Sequence, residues 1–514
     1  MRVLVTGGTG VVGNAAVTAL LERGHEVRLL SRHAARDARR WSSGVEPSPG
    51  NVTEPASLRG AADGCDAVLH LVGVVAERPP KATLEGVNVE GTRNIVAEAE
   101  RAGVRKFTFV SSLGAERGTS PYHRSKYRAE QIVRAFRGGW VILRPGNVYG
   151  PGDDEISLLL KMVRALPAIP VIGDGDQPFQ PIWHEDLGAA LARAVERDDL
   201  HRRVLELAGP ERTTQTDLLD RLTALTGREP ARVPLPALLA AIGTRVAAAV
   251  GVEVPFNESQ LTMLREGSVI EDPAHNALTA VFGIEPTSLD EGLARLADEQ
   301  PEQLPGQGVG RLRRKQFWAD ITGSPDTPEM LIDRLRRQFA EIMPIEVGSE
   351  PGAQIVPERG ATITMSLPVR GNIQVRVAEC GEHVLTLLTV EGHPLAGAVR
   401  FLAEERGDLL RFEVQTYDRP SSISDYLVMS TIGNLLQDLN WAAVVEHMVE
   451  AAGGRAAEGV QRDSEALDEE QTERIERWLE ELAAALSRDE RDVRRSLRSD
   501  AAHESGDSPT ELRP

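Results

Sequence analysis

The sequence predicts two folded parts in series: a doubly wound parallel α/β sheet, then an α+β part built on an antiparallel sheet. Three observations predict this. Up to about residue 300, short apolar runs alternate with helical patterns, as expected for strands buried between two helical layers. The chain opens "MRVLVTGGTGVVGNAAVTALLERGHEVRLLSR", which reads as strand, glycine turn, helix and strand. After "EQPEQLPGQGVG", rich in Pro and Gly, the apolar period drops to two, the pattern of strands with one buried face.

The opening segment carries the first element. Val3 to Val5 forms a buried strand, Val11 to Arg23 a helix and Glu26 to Leu30 a second strand. Gly8, Gly10 and Gly13 fit G-x-G-x-x-G, so that Gly7, Thr9, Gly10, Val11, Val12 and Gly13 form a turn able to hold a dinucleotide pyrophosphate at a helix N-terminus. The residue after the second strand selects the cofactor: an acid there would bind the ribose 2′-hydroxyl of NAD. Here Ser31 and Arg32 stand instead, and a guanidinium suits the 2′-phosphate, so NADP(H) is favoured over NAD(H). Asn51 and Val52 fall where a parallel-sheet loop would flank the adenine. The strand Ala67 to Leu71 ends in Leu71, Val72 and Gly73 at the edge of the sheet where ligands bind.

Further motifs follow in order: "GVNVEGTRNIVAEAERAGV", "KFTFVSSLGA", "PYHRSK", "ILRPGNVYGPGD" and "GDGDQPFQPIWHEDLGAA". With the glycine turn, this set resembles the short-chain dehydrogenase/reductase superfamily in its extended or atypical, epimerase/dehydratase-like branch. It is similar to the group containing the NADPH-binding accessory subunit of respiratory complex I. In "SPYHRSKYRAEQ", Tyr122 precedes Lys126 by four residues, which puts both on one helix face. The resemblance implies that this pair carries proton chemistry, with Ser112 as serine partner and Ser111 as the alternative. It also implies a role for Asn88, and a path beside the nicotinamide for Pro145, Gly146, Asn147 and Val148. A free phenol has a pKa near 10, and a nearby ammonium and an oxidised nicotinamide would both lower it.

Other residues read as structural. His184 is expected to pack, Asp186 to cap its helix, and His70 to sit inside a strand. No Cys/His cluster has zinc spacing, and no metal is expected. Residues from about Leu235 to Leu264 are expected to form a lid over the substrate cleft.

The second part is expected over residues 311–453, with a linker at 301–310. Ile363, Met365 and Leu367 alternate with polar residues, as do Ile373, Val375 and Val377, and Phe412 with Val414. A helix from Pro328 to Met343, N-capped by Thr327, precedes them, and one from Ser422 to Ala451 follows. This order, with "VEGHPLAGAVRF" and "FEVQTYDRPSS", resembles the helix-grip fold of the START-like (SRPBCC) superfamily, whose members often hold an apolar ligand. The first domain is expected at 1–300 with a small substrate lobe at about 151–170 and 210–300. Residues 454–514 are expected to be an acidic tail, helical over "TERIERWLEELAAALS" and then disordered.

Composition bounds the function. A net charge of -19 argues against broad nucleic-acid binding. Two cysteines, Cys65 and Cys380, fit a reducing cytoplasm rather than a disulfide scaffold. The first residues already read as a strand, so no targeting segment is expected. The most apolar stretch, "LPALLAAIGTRVAAAVGVEVP", is broken by Arg245 and flanked by prolines, so it reads as a packed helix rather than a membrane span. The expectation is an NADP-dependent oxidoreductase acting on a carbonyl or alcohol of a sugar nucleotide or lipophilic small molecule. The alternatives are a non-catalytic NADPH-binding sensor or assembly protein, and an apolar-ligand module fused to a reductase. The sequence leaves the oligomeric state open.

Overall fold

The computed structural model describes residues 1–41, 43–77, 79, 82–235, 268–367, 371–422, 425 and 434–504. It divides into two compact units, Met1–Asp298 and the remainder from Glu299.

The first unit is built on seven strands: β1 (Arg2–Thr6), β2 (Glu26–Ser31), β3 (Val45–Pro49), β4 (Ala67–His70), β5 (Lys106–Val110), β6 (Gly139–Pro145) and β10 (Arg203–Leu207). Their order across the sheet is β10-β6-β5-β4-β1-β2-β3, and every pairing is parallel. The chain moves outward from β1 in both directions, so the order reverses between β1 and β4. Ligands bind at such a point in doubly wound sheets. Strands β4 and β5 are buried along their whole length because helices cover both faces. Alternation along β1 sends Val3 and Val5 to one face and Leu4 to the other. The first face is covered by α1 (Val11–Glu22) and α6 (His184–Glu196), through Ala16, Val17, Leu20, Leu187 and Leu191. The second is covered by α3 (Gly91–Arg101) and α4 (Pro121–Arg134), through Ile95, Val96, Ala129 and Val133. A short helix, α2 (Ala34–Asp37), follows β2.

A smaller lobe caps the C-terminal edge of this sheet's later strands. It contains β7 (Val148–Tyr149) paired with β9 (Ile182–Trp183), and β8 (Ala168–Ile172) paired with β11 (Ala231–Leu235). Helices α5 (Ile156–Ala165), α7 (Gln215–Thr226) and Leu289–Asp298 complete it around Tyr149, Leu160, Trp183, Leu222 and Leu293. The expected lid at about 235–264, and the apolar stretch containing Arg245, lie almost entirely outside the described residues.

The second unit is an antiparallel sheet in the order β13-β14-β15-β16-β17-β18-β12-β19, with β20 also pairing β12. Its strands are β12 (Arg313–Thr322), β13 (Glu346–Val347), β14 (Thr362–Leu367), β15 (Gly371–Cys380), β16 (Val384–Thr389), β17 (Leu395–Arg406), β18 (Leu409–Pro420), β19 (Arg455–Ala456) and β20 (Gln461–Ala466). One face packs Phe317, Ile363, Val375, Phe401 and Phe412 against Leu331, Leu335 and Phe339, and against Val444, Val445 and Met448 of helix Asn434–Ala451. Thr327 accepts from the Met330 N–H and caps the first of these helices, which ends at Arg337; a separate turn, Phe339–Ile342, follows it. The part of the expected long helix before Asn434 falls almost entirely outside the described residues.

Two boundaries differ from the sequence expectation. Residues 301–310 are not a free linker: the Gln303 N–H donates to the Thr389 carbonyl, and Arg376 binds Glu302 at 3.2 Å and the Gln300 carbonyl at 3.0 Å. Nor does the second unit end at 453. β20 runs beside β12 for six residues, and helix Glu469–Glu504 lays Leu479 and Leu486 over Ala378, Leu388 and Ala398 on the sheet's other face. β20 is an exposed edge strand, "QRDSEA", so it has no apolar alternation for a sequence reading to detect.

Candidate active site

The glycine turn between β1 and α1 lies at the point where strand order reverses. Gly7 has φ of 73°, and a Cβ there would meet the Val72 backbone nitrogen at 2.9 Å. A Cβ on Gly13 would stand 2.1 Å from the Gly7 carbonyl oxygen. The backbone therefore demands glycine at Gly7 and Gly13, and the turn spaces them as Gly7, Gly10 and Gly13. The sequence reading put Gly8 first; what Gly8 avoids is the Leu29 side chain, at 2.5 Å. Gly10 differs from its neighbours, because its Cβ would meet nothing nearer than 3.7 Å. Gly10 is also the N-cap of α1, which has no side-chain cap and no acid in its first turn. Open space above uncapped N–H groups, next to the flanking Thr9, Val11 and Val12, fits a bound pyrophosphate.

Around this turn, Arg32 is exposed just beyond β2, while the Ser31 hydroxyl donates to buried Asp37 at 2.7 Å. Arg40, which the sequence reading did not single out, donates to the Thr9 carbonyl at 3.2 Å and so leans across the turn. Asn51 is spent locally: its amide donates to Glu54 at 2.8 Å and its carbonyl oxygen accepts from the Thr53 N–H. Val52 is buried, and its carbonyl accepts from Asn94 at 2.8 Å. The Asn51 N–H and carbonyl are likewise taken up, by the Ser57 hydroxyl and the Glu54 N–H. Leu71, Val72 and Gly73 follow β4, with the Leu71 N–H on the Thr6 carbonyl at 3.2 Å.

Tyr122 and Lys126 lie on α4, which starts at Pro121 and is capped by Ser120 accepting from the His123 N–H. Ser112 lies close enough to the Tyr122 hydroxyl to act on the phenol. Burial pushes the phenol up to about 12, with the charge of Glu155 adding to the rise and Ser112 opposing it. Ser111 is engaged elsewhere: its hydroxyl donates to buried Glu130 at 2.6 Å, and Glu130 is held by Arg144 through two 2.8 Å contacts. Of the two adjacent serines, Ser112 therefore faces Tyr122. Lys126 is buried and donates to the Val110 carbonyl at 2.8 Å, beside Gly73. Burial pulls its ammonium down to about 8, against the pull of Glu130. Asn88 sits in the π-helical turn Leu84–Glu90, where its carbonyl oxygen accepts from the Val74 N–H and its amide donates to the Val74 carbonyl and to Ser125. Ser125 in turn donates to the Tyr122 carbonyl at 2.7 Å, so Asn88 supports the start of α4 from below.

Pro145, Gly146, Asn147 and Val148 leave β6 on the same edge. The Pro145 carbonyl accepts from Leu113, and Gly146 donates to the Leu207 carbonyl. Asn147 donates to Glu155 at 2.9 Å. Glu155 was not among the sequence candidates; a lone Glu in "PGDDE" gives no signal of where it points.

His70 and His184 are structural. His70 is fully buried, with Thr6 at 2.6 Å on Nδ1 and Thr92 at 3.1 Å on Nε2, and it stacks on Phe109. Thr92 spends its proton on the Asn88 carbonyl, so His70 Nε2 donates to Thr92 and Nδ1 accepts from Thr6. Burial drops its pKa to about 3, helped by Lys126. His184 lies edge-on to Trp183 under Gly150. Asp186 does not cap α6, whose N-cap is Trp183. It stands in the first turn and binds the Thr287 N–H and hydroxyl at 2.7 and 3.1 Å, which ties down the segment ahead of helix Leu289–Asp298. Among the described residues no group of His, Cys, Asp and Glu could hold a metal ion, and no helix is long and apolar enough to cross a membrane.

With this geometry in view, similarity to known proteins is informative. The NAD dependent epimerase/dehydratase family model matches residues 3–208. The chain is similar to a ceramide reductase of Caulobacter vibrioides, 33% identical over 240 residues that cover 46% of this chain and 73% of the relative. It is similar to sterol demethylase protein B of Methylococcus capsulatus, 32% identical over 260 residues that cover 46% of this chain and 78% of the relative. It is also similar to photosystem II assembly factor Ycf39 of Synechocystis, 26% identical over 249 residues that cover 46% of this chain and 72% of the relative.

Proposed function

The chain belongs to the NAD-dependent epimerase/dehydratase family, and on that premise we propose that its first unit is an NADP(H)-dependent reductase of a ketone or aldehyde on a lipophilic substrate. The observation that carries the reading is Tyr122 on α4, with Ser112 acting on its hydroxyl and its phenol held well above neutral pH. A bound dihydronicotinamide supplies the hydride. Tyr122 gives its proton to the carbonyl oxygen while Ser112 donates to the same oxygen and offsets the charge developing there. Lys126, which donates to the Val110 carbonyl, would hold the ribose side of the cofactor. Asn88 fixes the helix start that aims Tyr122. The product is the alcohol, and the phenolate recovers its proton from solvent.

Two relatives, by name a ceramide reductase and a sterol-modifying protein, support a lipophilic substrate over a sugar nucleotide. Arg32 and Arg40 beside the turn support the NADP preference. The second unit is read as a helix-grip module of the START-like kind. Its interior, among the described residues, is occupied by Phe317, Phe339, Phe401 and Phe412, with Trp441 6.0 Å from Phe401, which favours a packed module over a carrier of an apolar ligand. Free Cys65 and Cys380 support a reducing cytoplasm. The similarity to a photosystem assembly factor favours a second reading, an NADPH-binding assembly protein without turnover.

A panel of long-chain ketones with NADPH separates the two. The reductase reading expects NADPH oxidation matched mole for mole by alcohol formed. Tight NADPH binding with no product across the panel would favour the assembly reading.

A further inference from the structure

Arg144 is the last residue but one of β6, and its side chain is buried against α4. It meets the fully buried Glu130 of α4 through two parallel contacts, Nε to one carboxylate oxygen and Nη2 to the other, each at 2.8 Å. Its third nitrogen donates to Glu116 at 2.6 Å, in the segment between Ser112 and Tyr122, and stands 3.8 Å from Glu206. A forked pair fixes angle as well as distance, which a point charge or an apolar contact does not.

This residue joins the two segments that carry the reacting groups. On one side is the backbone: the Ser111 N–H donates to the Leu143 carbonyl at 2.8 Å, and the Leu113 N–H to the Pro145 carbonyl at 2.9 Å. Ser112 and Arg144 are thus held opposite each other, each between two bonded neighbours. On the other side is α4, where Tyr122, Lys126 and Glu130 follow at intervals of four and share one face. Lys126 donates to the Val110 carbonyl at 2.8 Å, and Glu130 accepts from the Ser111 hydroxyl at 2.6 Å, so this face lies along the end of β5. The Lys126 bond alone would let the helix pivot about it. The forked pair one turn further on removes that freedom.

We propose that Arg144 is a positioning residue of this site: forked onto Glu130, it sets the separation and direction of Tyr122 relative to Ser112. The inference rests on the reductase reading for the chemistry that the tie serves, and deepens it by naming what holds the two side chains in place. Arg144 acts through Glu130 and Glu116 and touches no reacting atom. A buried ion pair is about as stable as well-packed apolar residues of similar volume, so exchanging it should disturb geometry more than folding. Displacing a reacting group by about 1 Å costs on the order of a hundredfold in rate. Arg134 supplies the contrast: it reaches the same Glu130 carboxylate at 3.5 Å from a half-exposed position, a far weaker hold.

The test uses the full chain with NADPH and 3-oxodecanamide as the probe. Arg144→Lys keeps the charge but not the fork, and Glu130→Leu combined with Arg144→Met removes both charges together. Both proteins are expected to bind NADPH and to melt near the wild-type values, while kcat falls by about tenfold to a hundredfold and KM stays within about threefold. Arg134→Gln should stay within about threefold of the wild-type rate. Hydrogen exchange is followed in parallel on the NADP+-loaded proteins: peptides spanning 112–126 should exchange faster in the double variant, with those of residues 2–31 unchanged. A double variant that reduces the probe as fast as wild type, or keeps the protection of 112–126, overturns the assignment. So does one whose rate falls only in step with NADPH binding and melting temperature, since the pair is then a stability element alone. If the wild-type chain binds NADPH but reduces nothing, the reductase reading fails, and the exchange data alone decide whether Arg144 holds the two segments.

Discussion

Tyr122 keeps its proton at neutral pH because burial and the Glu155 charge both disfavour the phenolate. A phenol in that state is set to donate, which is the reductive direction. Replacing it by Phe removes the proton donor and leaves the glycine turn untouched, so Tyr122→Phe should cut turnover by roughly 10²- to 10⁴-fold with NADPH affinity unchanged; steady-state kinetics with a fluorescence titration checks both. His70 gives a pH prediction. Its folded pKa of about 3 lies below the ordinary 6.5, so the unfolded chain binds the extra proton first. The stability tied to neutral His70 is complete above about pH 6.5 and is lost as pH falls towards about 3, up to roughly 5 kcal/mol in all. Urea midpoints between about pH 6.5 and about pH 5 should fall less steeply in His70→Asn than in the wild-type chain. At this scale the sequence named Tyr122 and Lys126 because a fixed spacing on a helix is visible in one dimension, and Asn88 because the family resemblance implied it. It preferred Ser112 over Ser111 by resemblance alone; what engages Ser111 elsewhere is Glu130, nineteen positions away, with Arg144 behind it. Glu155 and Arg40 escaped for the same reason: each acts across a fold that brings distant segments together.

The first strand, turn and helix form the element on which cofactor binding depends. Its glycines separate into two kinds by what a methyl group would meet. Gly13→Ala would drive a Cβ into the Gly7 carbonyl and the Gly8 backbone, so the turn must open and the first unit should lose stability, by about 1–3 kcal/mol. Gly10→Ala has room in the folded chain but intrudes where a pyrophosphate would lie, so it should leave the melting temperature near that of wild type while weakening NADPH binding at least about tenfold. Thermal melts and cofactor titrations on the two variants check the contrast. For cofactor choice, Arg32→Ala should reduce the preference for NADPH over NADH. Equal affinities in the wild-type chain would remove Arg32 from the account. The strand–turn–helix was legible because its periodicity is local and both its sequence boundaries are marked. The register of the glycines was less so, because G-x-G-x-x-G fits Gly8 on paper while the positive φ belongs to Gly7.

Across the whole molecule, the parallel and antiparallel sheets were each readable from apolar period, and the change of period located their junction. The end of the second unit was not, since β20 carries polar residues and helix Glu469–Glu504 is strongly charged. Burial shows what these segments do: they cover β12 and the face carrying Ala378, Leu388 and Ala398. A chain ending at residue 453 should therefore expose that face, aggregate, or unfold at lower denaturant than the full chain, with the first unit's NADPH binding retained. The central claim, that Tyr122 delivers a proton to a carbonyl reduced by NADPH on this chain, is tested most directly by a single-turnover experiment. NADPH is bound first, 3-oxodecanamide is mixed in, and loss of the dihydronicotinamide absorbance is followed in wild type and Tyr122→Phe. The account predicts a rapid decay in the wild-type chain and one slower by about 100-fold or more in the variant, at equal NADPH occupancy; equal decay rates in the two would contradict it.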